Sequence, residues 1–220
     1  MTITPGDLFT PRALPLLDER PPERRDAARN RMALLEAAQR LIEHYGIDKV
    51  TMDAVAEAAG VGKGTVFRRF ESREGLMAAV LDHSETEWQA AVISGPPPLG
   101  PGAPPWERLL AFGRSRLETS LEHADLIRNA GRAGTRSFAA YSFAAMHLRY
   151  LLTQLGVAGD LQLLAVALMA PLEAPILDQQ VRIEGLDVGR VYDGWADLAG
   201  RIVGASPYPP PAGGASADRT

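Results

Sequence analysis

The sequence predicts an all-α protein, and three observations support that class. Apolar residues recur at intervals of three and four in every long segment, as they do in a helix that buries one face. No segment alternates apolar and polar residues in the way a half-buried strand does. Glycine and proline mostly separate the periodic segments, with Pro171 and Pro175 as exceptions inside one of them. A chain of 220 residues can form two helical parts with cores of their own.

Composition shifts along the chain predict five regions. Residues 94–105 contain six prolines and three glycines, which indicates a linker. It separates a helical region at 23–93 from a second helical region at 106–205. Residues 1–22 and 206–220 are rich in proline, glycine and polar residues without periodicity, so we expect disordered tails there.

Residues 51–76, TMDAVAEAAGVGKGTVFRRFESREGL, predict two short helices joined by a tight turn and followed by a third. Thr51 can cap the first helix, whose apolar positions share one face: Met52, Val55, Ala56 and Ala59. Gly60 suits the left-handed conformation that ends a helix. Val66 and Phe70 lie four residues apart and give the second helix one inward face. Ser72 caps the next helix.

The outward face of the second short helix is cationic. Between residues 62 and 73 there are four cations and one acid, Glu71. Cations and a hydroxyl on an exposed helix after a glycine turn are suited to phosphate contact and to reading base edges in a major groove. The alternative is an ordinary helical hairpin with a solvated basic face, which the excess of one sign of charge disfavours.

The stretch AGVGKGTVFRRFESREGL resembles the N-terminal signature of the tetracycline-repressor-like (TetR) family of bacterial regulators, and the resemblance covers residues 30–82. It implies a three-helix DNA-binding domain with a helix-turn-helix. It implies that Lys63, Thr65 and Arg68 lie in or beside the major groove and that Thr51 and Arg73 contact phosphate. Within that frame we expect Thr65 and Arg68 to contact base edges and Lys63 to contact a base or a phosphate. The side chains expected to position phosphate are Thr51, Arg69, Arg73 and Arg31. The full set of expected DNA-binding residues is Arg31, Thr51, Lys63, Gly64, Thr65, Phe67, Arg68, Arg69 and Arg73.

Three positions depart from the pattern of that family. Gly62 stands where Ser or Thr is common and removes a side-chain cap, and Phe67 replaces a common Tyr and removes a phenol. Arg69 replaces a frequent His and supplies a permanently charged donor. Upstream, Arg24, Arg25, Arg29 and Arg31 form a basic entry to the first helix, which either touches DNA or is a solvated helix end.

The second half reads as helical throughout, and the resemblance implies a cavity in it for a small-molecule effector. Arg116 is the most interesting candidate because it follows Phe112 by one turn and could pair with an anionic group. Aromatic and Met residues at helical spacing are more often core than ligand contacts. The candidate lining residues are Trp106, Phe112, Arg116, Tyr141, Met146, His147, Arg149 and Met169.

Residues 163–172 are apolar nearly all round, so they belong either to a central core helix or to a helix shared with a second subunit. The resemblance implies that the last two helices pair with their two-fold mates to form a homodimer. A dimer would match a pseudo-palindromic operator. The alternative is a monomer with a large core.

Composition excludes several other classes. Cysteine is absent, so no disulfide or Cys-ligated metal is expected, and the four histidines lack metal-ligand spacing. The glycines of GVGKG follow a helix and lack the rest of a nucleotide-binding motif. We expect no enzyme activity, no cofactor, no metal and no membrane span, and we expect a cytoplasmic location. A net charge of −4 still allows DNA binding, because only the charge at the contact surface matters.

Taken together, the sequence predicts a sequence-specific transcriptional regulator, a homodimeric repressor that a small-molecule effector releases from double-stranded DNA. The alternative is a ligand-independent or co-repressor-dependent DNA-binding protein, or an activator, whose second domain serves only dimerisation. Neither the operator nor the effector can be read from the sequence.

Overall fold

The computed structural model describes residues 22–130 and 138–204, and side chains within 26–127 and 141–204. The predicted tails up to residue 21 and from residue 205, and Gly131 and Gly134, which the sequence predicts to interrupt the helices of the second half, lie outside the described residues. The expected roles of Arg24 and Arg25 lie outside them as well. Within the described ranges there is no strand, and the all-α prediction is confirmed.

Nine α-helices form in the described part of the chain. Their bounds are α1 Pro22–Tyr45, α2 Met52–Ala58, α3 Lys63–Phe70, α4 Arg73–Ser94, α5 Pro105–Ala130, α6 Phe138–Gln154, α7 Leu161–Met169, α8 Ala174–Asp178 and α9 Val188–Val203. A 3₁₀ turn, Ile47–Lys49, connects α1 to α2.

Two separate hydrophobic cores hold these helices together. The N-terminal core joins α1 to α4 around residues that are almost wholly buried, such as Leu34, Val55 and Val66. The C-terminal core joins the second half of α4 to α5, α6, α7, α8 and α9. Two helices connect the cores: α4 contributes Leu76 to the first and Trp88 to the second, and α5 contributes Leu126 to the first and Phe112 to the second.

The proline-rich stretch predicted as a linker forms a tight turn between α4 and α5. The backbone N–H of Gly100 donates to Pro96 O at 3.0 Å. A Cβ at Gly100 would lie 1.8 Å from Gly95 O, so only glycine fits this close approach. The turn lets α5 fold back along α4, and Trp88 Nε1 donates to Ser115 Oγ at 2.9 Å across that contact.

One helix boundary in the second half was predicted wrongly. The sequence pattern predicts a helix over about 106–123 followed by a shorter one near 124–130, but α5 runs without a break to Ala130. No glycine or proline interrupts it there, and the buried side chains of Ala124 and Leu126 stabilise the continued helix through packing. Helix α5 also packs closely on α9, since a Cβ at Gly113 would lie about 2.0 Å from the Trp195 ring.

The apolar segment Leu161–Ile183 breaks near its two prolines, as expected from their effect on a helix. Helix α7 ends at Met169, a 3₁₀ turn follows, and Glu173 has an extended backbone before α8 begins. By length and composition the segment would suit a membrane span. However, α7 is nine residues long and reaches only about 14 Å, roughly half of a bilayer core.

Candidate DNA-binding surface

The turn between α2 and α3 has the geometry that its sequence predicts. Thr51 Oγ1 accepts from Ala54 N at 3.1 Å and caps α2. Gly60 has a φ of 67°, and the N–H of Val61 donates to Ala56 O at 3.0 Å, which closes the helix end. This arrangement fixes where α3 begins relative to α2.

Helix α3 packs through one face and leaves the other to solvent. Val66 and Phe70 are buried, as predicted. Gly62 provides no side-chain cap, as its sequence implies. A Cβ at Gly64 would meet nothing within 4 Å, so the helix backbone is open to close approach there. The outward side chains are Lys63, Phe67, Arg68 and Arg69, with Thr65 half-buried beside them.

The two residues expected to read bases lie side by side. Arg68 Nη2 lies 3.5 Å from Thr65 Oγ1, a long contact that leaves most of the guanidinium donors available. Phe67 is 48% exposed between them along the helix, an apolar ring in water. Lys63 Nζ donates to Asp53 Oδ2 of α2 at 2.5 Å, and both partners are largely exposed. In high dielectric such a pair contributes little, so a phosphate can compete for Lys63.

Two of the expected phosphate-binding arginines make contacts within the protein. Arg73 Nε donates to Val50 O at 2.9 Å and its Nη2 donates to Ile47 O at 2.6 Å. Arg69 Nη2 donates to Ala27 O of α1. The bonds of Arg73 connect α4 to the 3₁₀ turn, and the bond of Arg69 connects α3 to α1. A DNA phosphate would therefore compete with these backbone carbonyls for the two guanidinium groups. Phosphate contact by Arg69 and Arg73 stays a prediction.

An open groove of about 210 Å³ runs between α1 and α3. Arg31, Arg68 and Arg69 line it together with Thr65 and Asn30. The guanidinium of Arg31 lies 5.7 Å from the centroid of the Phe70 ring, which holds its stem against the N-terminal core. Three guanidinium groups around one groove create a positive region beside the exposed face of α3.

Comparison with known proteins connects this geometry to a family. Residues 34–80 match the family model described as bacterial regulatory proteins, tetR family. An HTH-type transcriptional regulator of Staphylococcus aureus (strain USA300) is 33% identical over 58 residues, which are 26% of this chain and 31% of that protein. Residues 34–80 are therefore a region of TetR-family type. It spans about a third of the length of the curated relatives that it matches.

Solved structures extend the likeness of fold beyond that region. A TetR-family transcriptional regulator from Pectobacterium atrosepticum aligns with a TM-score of 0.59 and 21% identity, covering 85% of this chain and 99% of the other. A transcriptional regulator from Rhodococcus sp. Rha1 aligns with a TM-score of 0.58 and 16% identity, covering 82% and 99%. At these identities the likeness concerns the fold of both helical parts.

The resemblance implies an effector cavity in the second half, and the role of its eight candidate lining residues stays a prediction; the structure places these residues at different depths of the C-terminal core. Phe112 and Met169 are fully buried in the C-terminal core. Met146 and Arg149 are exposed on the other side of α6. Trp106 and Tyr141 are half-buried against the core, and only His147 stacks on Phe112, with ring centroids 5.6 Å apart. The spacing of apolar residues predicts which side chains share one face of a helix. It does not predict how the helix is rotated about its axis, and therefore which neighbours that face contacts.

Arg116, the residue most expected to bind an effector anion, already has a partner. It is 1% exposed, and its Nη1 donates to Glu85 Oε2 at 2.9 Å and to Oε1 at 3.2 Å. Its guanidinium also lies 4.6 Å from the Trp88 ring centroid. A buried charge already neutralised by a carboxylate is a poor receptor for a second anion. The geometry therefore assigns Arg116 to the contact between α4 and α5.

Sequence reasoning missed the rest of this buried polar network. His123 Nε2 lies 3.0 Å from Ser84 Oγ, and its Nδ1 lies 3.8 Å from Glu85 Oε2. Burial lowers the pKa of His123, and the nearby Glu85 carboxylate opposes that shift. A signal was present, because Glu85 falls on the same 3.6-residue stripe as Leu81, Trp88 and Val92. An acid on an apolar stripe indicates a buried charge that needs a cation.

Arg108 was also missed. It is 9% exposed on α5, and its Nη2 lies 3.5 Å from Val92 O near the end of α4. That carbonyl lacks its usual helical donor because residue 96 is proline.

Within the residues that the structure describes, no three His, Asp or Glu side chains form a group that could hold a metal ion.

Proposed function

We propose that this protein is a transcriptional regulator that binds double-stranded DNA through α3. The carrying observation is the exposed face of α3, where Thr65 and Arg68 lie beside an arginine-lined groove while Val66 and Phe70 anchor the helix. A guanidinium in a major groove can donate to two acceptors on guanine. The match of residues 34–80 to the TetR family model supports the same use of this helix.

The role proposed for each side chain in DNA binding depends on the contacts that it already makes within the protein. Thr65 and Arg68 would read base edges, with Lys63 released from Asp53 to a base or phosphate. Thr51 and Arg31 would contact phosphate, and the open backbone at Gly64 would allow close approach. Arg69 and Arg73 would act chiefly by holding the turn and α1 in place.

The protein would bind DNA as a homodimer through its last helices. Leu163 and Val166 of α7 are 65% and 38% exposed, and Ile176 and Ile183 are 41% and 70% exposed. A second copy is the occupant proposed for this apolar face, because a central core helix would bury the side chains of Leu163 and Val166 and these are exposed. Leu163→Asp should give a monomer in sedimentation velocity at about 10 µM, and Gln162→Asp on the same turn should stay dimeric.

Repression would end when a small molecule binds the C-terminal part. Helix α4 connects the two cores, so a shift of its C-terminal half moves α1 to α3 as well. A coupling of roughly 1–3 kcal/mol would lower operator affinity 5- to 150-fold. Such a regulator would act in the cytoplasm, where bacterial DNA lies.

Selection of binding sites from random DNA at about 150 mM salt tests this proposal. We expect an inverted repeat that a Thr65→Ala/Arg68→Ala variant does not enrich. A Thr86→Ala/Arg149→Ala variant, changed at exposed positions away from α3 and from the last helices, is the matched control and should enrich the same repeat. Equal enrichment by the α3 variant and the unchanged protein would contradict the assignment of α3.

A further inference from the structure

Two buried polar atoms on facing helices have no hydrogen-bond partner among the described residues. One is Nε of Arg108 on α5, and the other is Nε2 of His147 on α6. Arg108 is 9% exposed, and its one described hydrogen bond is the 3.5 Å contact of Nη2 with Val92 O. Leaving such groups buried and unpaired costs roughly 1–3 kcal/mol each, and more for a charge.

The two residues lie close enough for the charge of Arg108 to act on His147, and aromatic rings pack against His147. Phe112 lies one turn after Arg108 on the same face of α5 and stacks on His147 at 5.6 Å. The Phe143 ring lies 6.3 Å from His147 and 6.1 Å from Trp88. Burial and the nearby charge of Arg108 lower the pKa of His147 to about 4, so its ring is neutral at pH 7.

The chemistry of these atoms specifies the missing partner. The Nε–H of an arginine is always a donor, and a neutral His in its Nε2–H tautomer is a donor as well. Two donors next to a fixed positive charge need an acceptor that carries negative charge. A carboxylate offers one oxygen to each donor, whereas a phosphate would leave further oxygens without donors here.

We propose that Arg108 and His147 bind the carboxylate of a small apolar acid, whose body lies against Phe112 and Phe143. This inference deepens the proposed effector control and rests on it. The site joins α5 and α6 next to Val92 of α4, so occupancy pulls Arg108 away from Val92 O. That change frees the C-terminal end of the helix that carries motion to α3.

Thermal unfolding with sodium benzoate and sodium octanoate tests the site, with benzamide as the uncharged counterpart of benzoate. At about ten times Kd either acid should raise Tm by roughly 3 °C. Arg108→Met should lose this rise while keeping, or slightly raising, the Tm without ligand, because an unpaired buried charge is removed. Arg149→Met removes an exposed cation from the same turn of α6 and should respond like the unchanged protein.

Imidazole NMR supplies a second measurement that a purely structural role would not affect. The His147 signals, assigned as those missing from His147→Gln, should move on adding benzoate, and the pKa of His147 should rise next to a bound anion. Equal Tm shifts in Arg108→Met and the unchanged protein, equal shifts with benzamide, or silent His147 signals with both acids would overturn the proposal.

DNA binding is measured separately, on the selected operator with and without the acids. If the protein did not bind the selected operator even without the acids, the proposed function would be contradicted. The Tm and NMR results for acid binding would still stand. Failure of both acids to bind, with operator binding intact, would refute the carboxylate site alone. Acid binding that leaves operator affinity unchanged would support the site and refute its role in releasing DNA.

Discussion

The exposed face of α3 and the contact between α4 and α5 use arginine in opposite ways. Arg68 is exposed, and its Nη2 lies 3.5 Å from Thr65 Oγ1. Arg116 is 1% exposed, bonded twice to Glu85 and placed over Trp88. The guanidinium of Arg68 is available to a binding partner, whereas the guanidinium of Arg116 is already paired inside the protein. Arginine on a helix therefore indicates a binding residue only where burial and an internal acid do not already account for it.

The buried pair allows the largest test of this contrast. Glu85→Ala leaves Arg116 buried without its carboxylate and should reduce the free energy of unfolding by about 3–5 kcal/mol. Urea denaturation followed by circular dichroism measures the change. Glu87→Ala, an exposed acid on the same helix, is the control and should change stability by less than about 0.5 kcal/mol. If Glu85→Leu/Arg116→Met were as unstable as Glu85→Ala, the unpaired charge would not be the cause.

Arg73 lies between the two extremes, since it is half-buried and bonded to Ile47 O and Val50 O. Arg73→Ala removes charge-assisted hydrogen bonds and should cost about 1.5–3 kcal/mol of stability. The same urea titration detects it, with Arg40→Ala on exposed α1 surface as the control. A variant with unchanged stability but weaker binding to all DNA sequences would mean that Arg73 acts as a phosphate contact.

Arg68→Ala should show the reverse pattern, an intact fold with altered recognition. Stability should change by less than about 0.5 kcal/mol, because the side chain is exposed. Discrimination at one position of each half-site should fall by roughly 1–3 kcal/mol if Arg68 reads guanine. Fluorescence anisotropy on single-base operator variants measures this. Uniform weakening on specific and random DNA would place Arg68 on the phosphate backbone instead.

The smallest expected effect is a dependence of the free energy of unfolding on pH. We expect it to arise in the C-terminal core, at His147, and not on the exposed surface of the N-terminal helices. The pKa of His147 is lowered to about 4, so below pH 6.5 the unfolded chain takes up a proton that the folded protein refuses. Stability should therefore fall between pH 6.5 and 4, by about 1 kcal/mol at pH 5.5. His147→Phe keeps an aromatic ring against Phe112 and should reduce this loss in urea titrations at pH 7 and 5.5. The exposed His44→Phe should leave the loss unchanged.

The N-terminal region was predictable from the sequence because its signals are local. A cap at Thr51, a left-handed glycine at Gly60 and the inward pair Val66 and Phe70 each depend on residues within one or two turns. The match to the TetR family model covers this same region. The depth of the candidate pocket residues in the second half, from the fully buried Phe112 to the exposed Met146, was not predictable, because contact across helices depends on how each helix is rotated about its axis.

The sequence by itself determined the all-α class, the helix-turn-helix, the outward side chains of α3 and the breaks at Pro171 and Pro175. These follow from helical periodicity and from backbone preferences of single residues. Only the tertiary structure decided that Arg116 pairs with Glu85, that Arg73 bonds the turn before α2, and that the charge of Arg108 acts on His147. Those outcomes join residues 20 to 40 positions apart, and helix packing, which no local pattern specifies, brings them together.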